Sequence, residues 1–310
     1  MMITALNPKS LLAGLALLGL LLAAPSSAQA GAWSKNFGEL YTKVGADFYK
    51  AARYVDPNTG EEVEGLDFFG QQYSLYAEVG VLPKWPLQLS VLLPLSVGIS
   101  HFPDETIFAE GDTGRATTIR LGDMRVQLQT AILRKGFQLS PAVELKIPLY
   151  GNGEVGSKFG TWREAFPLPG DGQLDVTGWI YLGGALAKTP MFVQGGVGYR
   201  HRSSTFIGWE TDLDFVDGIP FTATWGVNLG PILAMLQVDG IKNIRDDEIT
   251  RENLSVGVGI FASVWRGLAI EGRFAGEVWA NNAAQGISFG VGLSWRLPYP
   301  GYSPKKSGKG

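Results

Sequence analysis

Leu121 to Tyr150 reads LGDMRVQLQTAILRKGFQLSPAVELKIPLY, and its alternation decides the fold. Met124, Val126, Leu128, Thr130 and Ile132 alternate with Asp123, Arg125, Gln127 and Gln129. After Arg134-Lys135-Gly136 the pattern resumes. Phe137, Leu139, Pro141, Val143, Leu145, Ile147 and Leu149 alternate with Gln138, Ser140, Ala142, Glu144, Lys146, Pro148 and Tyr150. Alternate side chains of a strand face opposite sides of a sheet. The hairpin therefore has an apolar face and a face that carries the ionisable groups. A soluble sandwich, dry inside and wet outside, meets that description. Two observations favour a membrane instead. Each arm runs about 13 residues, where soluble strands run about five or six. The pattern also recurs along the chain, with short and long connections in strict alternation. That is the signature of a transmembrane β-barrel with lipid outside and a polar lumen inside.

Working outward, the preceding arms are Glu39–Val55, Gln71–Leu82 and Leu87–Ser100. Leu92 and Pro94 fall on the inner face of the third and imply some packing within the lumen. The following arms are Leu174–Ala187, Met191–Arg202, Phe221–Leu229, Ile232–Asp239, Leu254–Val264, Leu268–Ala280 and Ile287–Leu297. The reading is an all-β, antiparallel, up-and-down barrel of about twelve strands. Short turns centre on residues 84, 135, 189, 230 and 266, and long loops near 62, 108, 161, 210 and 246. Outer-membrane barrels keep short turns in the periplasm and long loops outside, so both termini are expected in the periplasm.

The first 30 residues read as an export leader. Lys9 supplies the positive start, Leu11 to Ala24 the apolar run and Ala28-Gln29-Ala30 the cleavage site. The run is short of the roughly 20 residues a spanning helix needs. The expected division is a signal peptide over 1–30, a barrel over 31–297 and a disordered periplasmic tail over 298–310. Cysteine is absent, which excludes disulfides, thiolate catalysis and Cys-ligated metals. With 26 basic against 29 acidic residues there is no nucleic-acid footprint. The 42 glycines suit tight turns and crowded lumen positions.

The inner faces collect Asp123, Arg125, Glu144, Lys146, Asp175, Arg200, Glu271, Arg273, Glu277 and Arg296, with Trp179 and Tyr181 beside them. In the quoted hairpin two registers are open. An Arg134-Lys135 loop sets Arg125 opposite Glu144 and Asp123 opposite Lys146. A Lys135-Gly136 loop makes the same pairs diagonal. Direct charge pairing favours the first, and glycine at the second loop position favours the second. Either gives a ladder of charges that packs a narrow lumen or forms a polar ring around a passing solute.

Enzymatic readings are weaker. His201-Arg202-Ser203 is similar to the His-x-Ser pair of outer-membrane phospholipases, and parity puts both side chains outward. The Asn-Gly that follows in those enzymes is replaced by Ser204-Thr205, and no orienting carboxylate is assignable. No catalytic residue, metal site or cofactor is expected. His101 stands alone at a loop edge. In the last arm, Ser288-x-Gly290-x-x-Leu293-x-Trp295 resembles the signal read by the barrel assembly machinery, the expected partner in biogenesis.

From Leu121 to Arg202 the chain also resembles the outer-membrane family named for the meta-cleavage pathway of phenol degradation. The matching pieces are Leu121-Gly122-Asp123, Leu145-Lys146-Ile147-Pro148 before Gly151-Asn152-Gly153, Gly170-Asp171-Gly172-Gln173-Leu174-Asp175, and Gly198-Tyr199-Arg200. The resemblance implies an outer-membrane barrel in contact with lipid that passes small hydrophobic or aromatic compounds. It supplies no catalytic motif. The leading expectation is passive uptake of such a molecule. The alternatives are a structural or surface-interaction barrel with a plugged lumen and, further off, a lipid hydrolase.

Overall fold

The computed structural model describes residues 32–55, 62–63, 67–101, 115–150, 173–203, 215–245, 250–281 and 284–298. Strand β1 is Leu40–Val55, β2 is Asp67–Gly80 and β3 is Leu87–His101. Strand β4 is two collinear runs, Arg115–Leu121 and Asp123–Thr130. Then follow β5 (Phe137–Pro148), β6 (Asp175–Ala185), β7 (Met191–Arg202) and β8 (Gly218–Leu229). The last four are β9 (Ile232–Asn243), β10 (Glu252–Trp265), β11 (Leu268–Asn281) and β12 (Ala284–Leu297). Glu62–Val63 adds a short rung beside the end of β1.

Each strand pairs antiparallel with its successor, and β12 pairs with β1 from Leu40↔Leu297 to Tyr54↔Ala284. The ring is therefore closed. Closure leaves no sheet edge, which is what allows strands to cross hydrocarbon. Among the described residues this is an all-β, up-and-down transmembrane barrel of twelve strands. Val44, Leu75, Leu128, Ile180, Ile270 and Phe289 stand exposed on the outside, while Glu78, Gln88, Ser90, Thr177 and Ser294 are buried within. A soluble protein reverses this arrangement.

Gly122 interrupts β4 with a bulge. Leu95 pairs with Leu121, but three residues back along β3 Leu92 pairs with Arg125, so one extra residue lies between the rungs. The Gly122 N–H donates to the Pro94 carbonyl at 2.9 Å, and its own carbonyl accepts from the Leu149 N–H at 3.3 Å. The extra residue reverses parity. Ile119 and Leu121 point to lipid, whereas Asp123 and Arg125 point inward. The sequence expectation of a strand opening at Leu121 is corrected here, because the strand already runs from Arg115.

The register of the β4–β5 hairpin is the diagonal one, with Gln127↔Glu144, Arg125↔Lys146 and Asp123↔Pro148. Gly136 supplies the positive φ, 75°, that the turn needs. The loop is wider than two residues, however. The regular ladder stops at Gln129↔Ala142, and the N–H groups of Ile132 and Leu133 both reach the Leu139 carbonyl. The expected arm to Ile132 is thus cut short at Thr130. Strand β8 starts earlier than expected, at Gly218, and β9 extends past Asp239 to Asn243. The leader, the loops at 102–114, 151–172 and 204–214, and the tail from 299 lie outside the described residues.

Residues 32–39, which carry no alternation, turn back from the start of β1 into the lumen. Phe37 bridges to Gly80, and the Gly38 N–H donates to the Gly80 carbonyl at 3.1 Å. Beyond that corner Ala32 is buried against Ala142 and Tyr181, with Trp33 and Trp179 packed around them.

Candidate functional site

The candidate site is the lumen, and its side chains are set by the ladder. Across β4 to β7 one row reads Arg125, Lys146, Asp175, Arg202, and the next reads Gln127, Glu144, Thr177, Arg200. Like charges at Arg125 and Lys146 stand directly opposite, so Arg125 turns diagonally to Glu144, and Lys146 takes Asp123 diagonally and Asp175 directly across on β6. Lys146 Nζ lies 3.4 Å from Asp123 and 3.0 Å from Asp175. Arg202 lies 3.6 Å from Asp175, and Arg125 lies 4.0 Å from Glu144. Lys146, Asp175 and Arg202 are almost wholly buried, whereas the Arg125 side chain is 44% exposed to the lumen. Buried charges persist only when paired, and Lys146, Asp175 and Arg202 are paired with one another within this wall.

Below these rows lie the aromatics. The rings of Trp179 and Tyr181 stack at 5.2 Å and 14°. They lie flat on the neighbouring strand because Gly198 and Gly196 present no side chain there; a Cβ at either would meet the ring. Gln127 Nε2 donates to the Tyr181 hydroxyl at 3.1 Å.

The opposite wall is built on β1 and β9 to β12. Lys43 lies 2.7 Å from Glu271, which also accepts from the Tyr41 hydroxyl at 2.5 Å. Arg273 pairs with Asp239 at 3.4 Å, and both side chains are 44% exposed inside the barrel. Glu277 accepts from the Tyr49 hydroxyl at 2.6 Å and pairs with Arg251. Between the walls is a cavity of about 930 Å3. Of the residues read from the sequence as facing inward, Arg125, Glu144, Trp179, Tyr181, Arg200, Arg273 and Glu277 border it. Asp123, Lys146, Asp175 and Glu271 are instead held in ion pairs within the wall. Gln194, which alternation also sets inward, borders it too, as do Asp47 and Asp239, which were not singled out. Parity alone would have found them, since Asp47 alternates with Ala46 and Phe48, and Asp239 shares the face of Leu233 and Met235.

The outward His201 lies at the rim, 3.1 Å through Nδ1 from Asp217. Asp217 also accepts from the Tyr199 hydroxyl at 2.5 Å and the Arg202 N–H at 2.9 Å. Burial works against its charge, but these three donors outweigh it and hold the carboxyl below its ordinary range. An orienting carboxylate therefore exists where the sequence offered none. It lies just ahead of β8, where the β7–β8 ladder brings it beside His201. Among the described residues no cluster of three or more His, Asp or Glu side chains could hold a metal ion.

No family model and no curated protein matches the chain. Among solved structures it is similar to the COG4313 outer membrane channel from Pseudomonas putida F1, with a TM-score of 0.64 and 11% identity over 87% of this chain and all of that one. That likeness is one of fold. Lower similarity is found to the translocator domain of the autotransporter NalP from Neisseria meningitidis, at TM-score 0.48 and 11% identity over 93% of this chain and 98% of that one. The CymD monoaromatic hydrocarbon channel gives TM-score 0.42 and 8% identity over 87% and 90%.

Proposed function

We propose that the chain is a channel in the outer membrane of a Gram-negative cell that passes a small hydrophobic or aromatic molecule down its gradient. The observation that carries this reading is the cavity of about 930 Å3 inside the closed barrel, with the stacked Trp179 and Tyr181 on its wall. A planar apolar solute meets the half-buried Trp179 ring there, with Tyr181 packed behind it. The charges of both walls are largely paired, so the path is polar without a field of one sign, which suits an uncharged solute. The export leader, the lipid contact of the outer face and recognition of Ser288, Gly290, Leu293 and Trp295 by the assembly machinery belong to the same proposal.

Two other readings have an observation each. The segment at 32–39 inside the lumen favours a structural barrel with a plug. The His201–Asp217 pair favours a lipid hydrolase. Purified protein in liposomes separates the three. Flux of a small aromatic solute that changes in Arg125→Gln/Glu144→Gln, and stays the same in Ser203→Ala, supports the channel. Ester cleavage that disappears with Ser203→Ala supports the hydrolase. No flux above empty liposomes puts the structural barrel first.

A further inference from the structure

We propose that residues 32–38 form the selectivity constriction of this channel, a tethered segment that seals part of the lumen near its short-turn end and sets the size of what passes. The inference rests on the channel reading above.

The segment runs round the inner wall and narrows the lumen from that side; between its two ends Arg134, in the β4–β5 turn, donates to the Asn36 side chain at 3.0 Å and to the Ser34 carbonyl at 3.5 Å. At one end the Ala32 N–H donates to Gln194 on β7 at 3.3 Å, and its carbonyl accepts from Ser140 on β5 at 2.5 Å. Trp33 meets Phe192 on β7 edge to face at 5.3 Å. At the other end the Lys35 N–H donates to Gln88 on β3 at 2.9 Å, and Lys35 Nζ pairs with Glu78 on β2 at 2.9 Å. The anchors thus run from β7 to β2, about half-way round a ring of twelve.

The wall is shaped for it. A Cβ at Gly183 would stand 2.8 Å from the Ala32 Cβ, and one at Gly80 would collide with the Asn36 carbonyl. Yet its attachment differs in kind from the barrel. Residues 32–35 belong to no strand, and the side chains of Gln88, Ser140 and Gln194 take backbone bonds of Ala32 and Lys35. The Lys35–Glu78 pair, 2% exposed on both sides, acts as the latch. A buried pair adds little net stability, but loss of one partner strands the other charge in a poor solvent. Such a pair therefore fixes position more than it deepens binding, which is the property a movable element needs. With the segment seated, Trp33 and Lys35 occupy cross-section that the cavity above leaves open.

The test is planar-bilayer conductance and liposome swelling with sugars of graded size, on the full-length protein. Folding is checked by the gel-mobility shift of an unheated barrel. Glu78→Gln and Lys35→Met release the latch. Trp33→Ala removes bulk without touching a charge, so one variant survives if the others misfold. The expected result is several-fold higher conductance and a larger size limit in each folded single variant. The charge swap Lys35→Glu/Glu78→Lys should return to the parent behaviour. Folded variants with the conductance and size limit of a conducting parent would overturn the constriction and leave the channel reading intact. Silence in the parent and every variant would remove the channel reading itself, and the constriction with it.

Discussion

Gln127 and Leu128 are neighbours with opposite solvents. Leu128 is 49% exposed on the lipid face, and Gln127 reaches inward to Tyr181. Arginine at Leu128 is expected to cost about 2–4 kcal/mol of folding stability, with Leu93 and Leu145 behaving alike. Arginine at Gln127, beside Glu144 and open lumen, should cost much less. Reversible unfolding from lipid vesicles in denaturant measures both, and equal losses would contradict the assignment of faces. A second residue effect concerns pH. Burial opposes the charge of Glu39, but the Asn36 side-chain amide (2.9 Å) and N–H (3.0 Å) outweigh it and hold the carboxyl below its usual value. A depressed pKa stabilises the native state fully above the unfolded value, about 4.3, and that contribution fades as pH falls through the folded one. Glu39→Gln should therefore destabilise the corner at neutral pH, and the gap from the parent should close on acidification.

At the scale of elements, the hairpin from Asp123 to Pro148 shows what alternation can settle. It assigned faces correctly on both arms, because period 2 is a property of the strand itself. It left register open, because register depends on the loop, and there glycine chemistry at Gly136 outweighed direct charge pairing. The bulge at Gly122 was invisible for the same reason: an extra residue alters which neighbours meet, not the local pattern on either side. The β6–β7 pair offers a test of packing. A methyl group at Gly196 would strike the Tyr181 ring. Overpacking of this kind costs about 1–3 kcal/mol. Gly196→Ala should lower stability within that range and change the near-ultraviolet circular dichroism of the Trp179–Tyr181 stack.

For the whole molecule, the even strand number and alternating connections set the topology. Reagents applied to intact cells are expected to label or cleave 102–114 and 151–172, and to leave Lys305 and Lys306 untouched. Surface labelling of the tail would invert the orientation. Twelve arms could be read because each repeats one signal and each confirms its neighbour. The stretch from Ala32 to Gly38 could not. It has no period, and its contacts are made by Gln88, Ser140 and Gln194, far along the chain. Glu78 shows the limit well. It alternates with Ala77 and Val79, so parity would have set it inside, but nothing in its surroundings named Lys35 as its partner.

Residues 32–38 are joined to Leu40 by a single residue, and this makes them an intramolecular ligand of the lumen. A short tether holds such a ligand at an effective concentration of about millimolar or above. Once displaced, the segment returns by a first-order step whose rate is independent of protein density in the membrane. A free peptide of the same sequence would need a comparable concentration to compete for the seat. Occupancy of the lumen is then a property carried by each barrel alone, and noise in the current through one molecule would report the exchange directly.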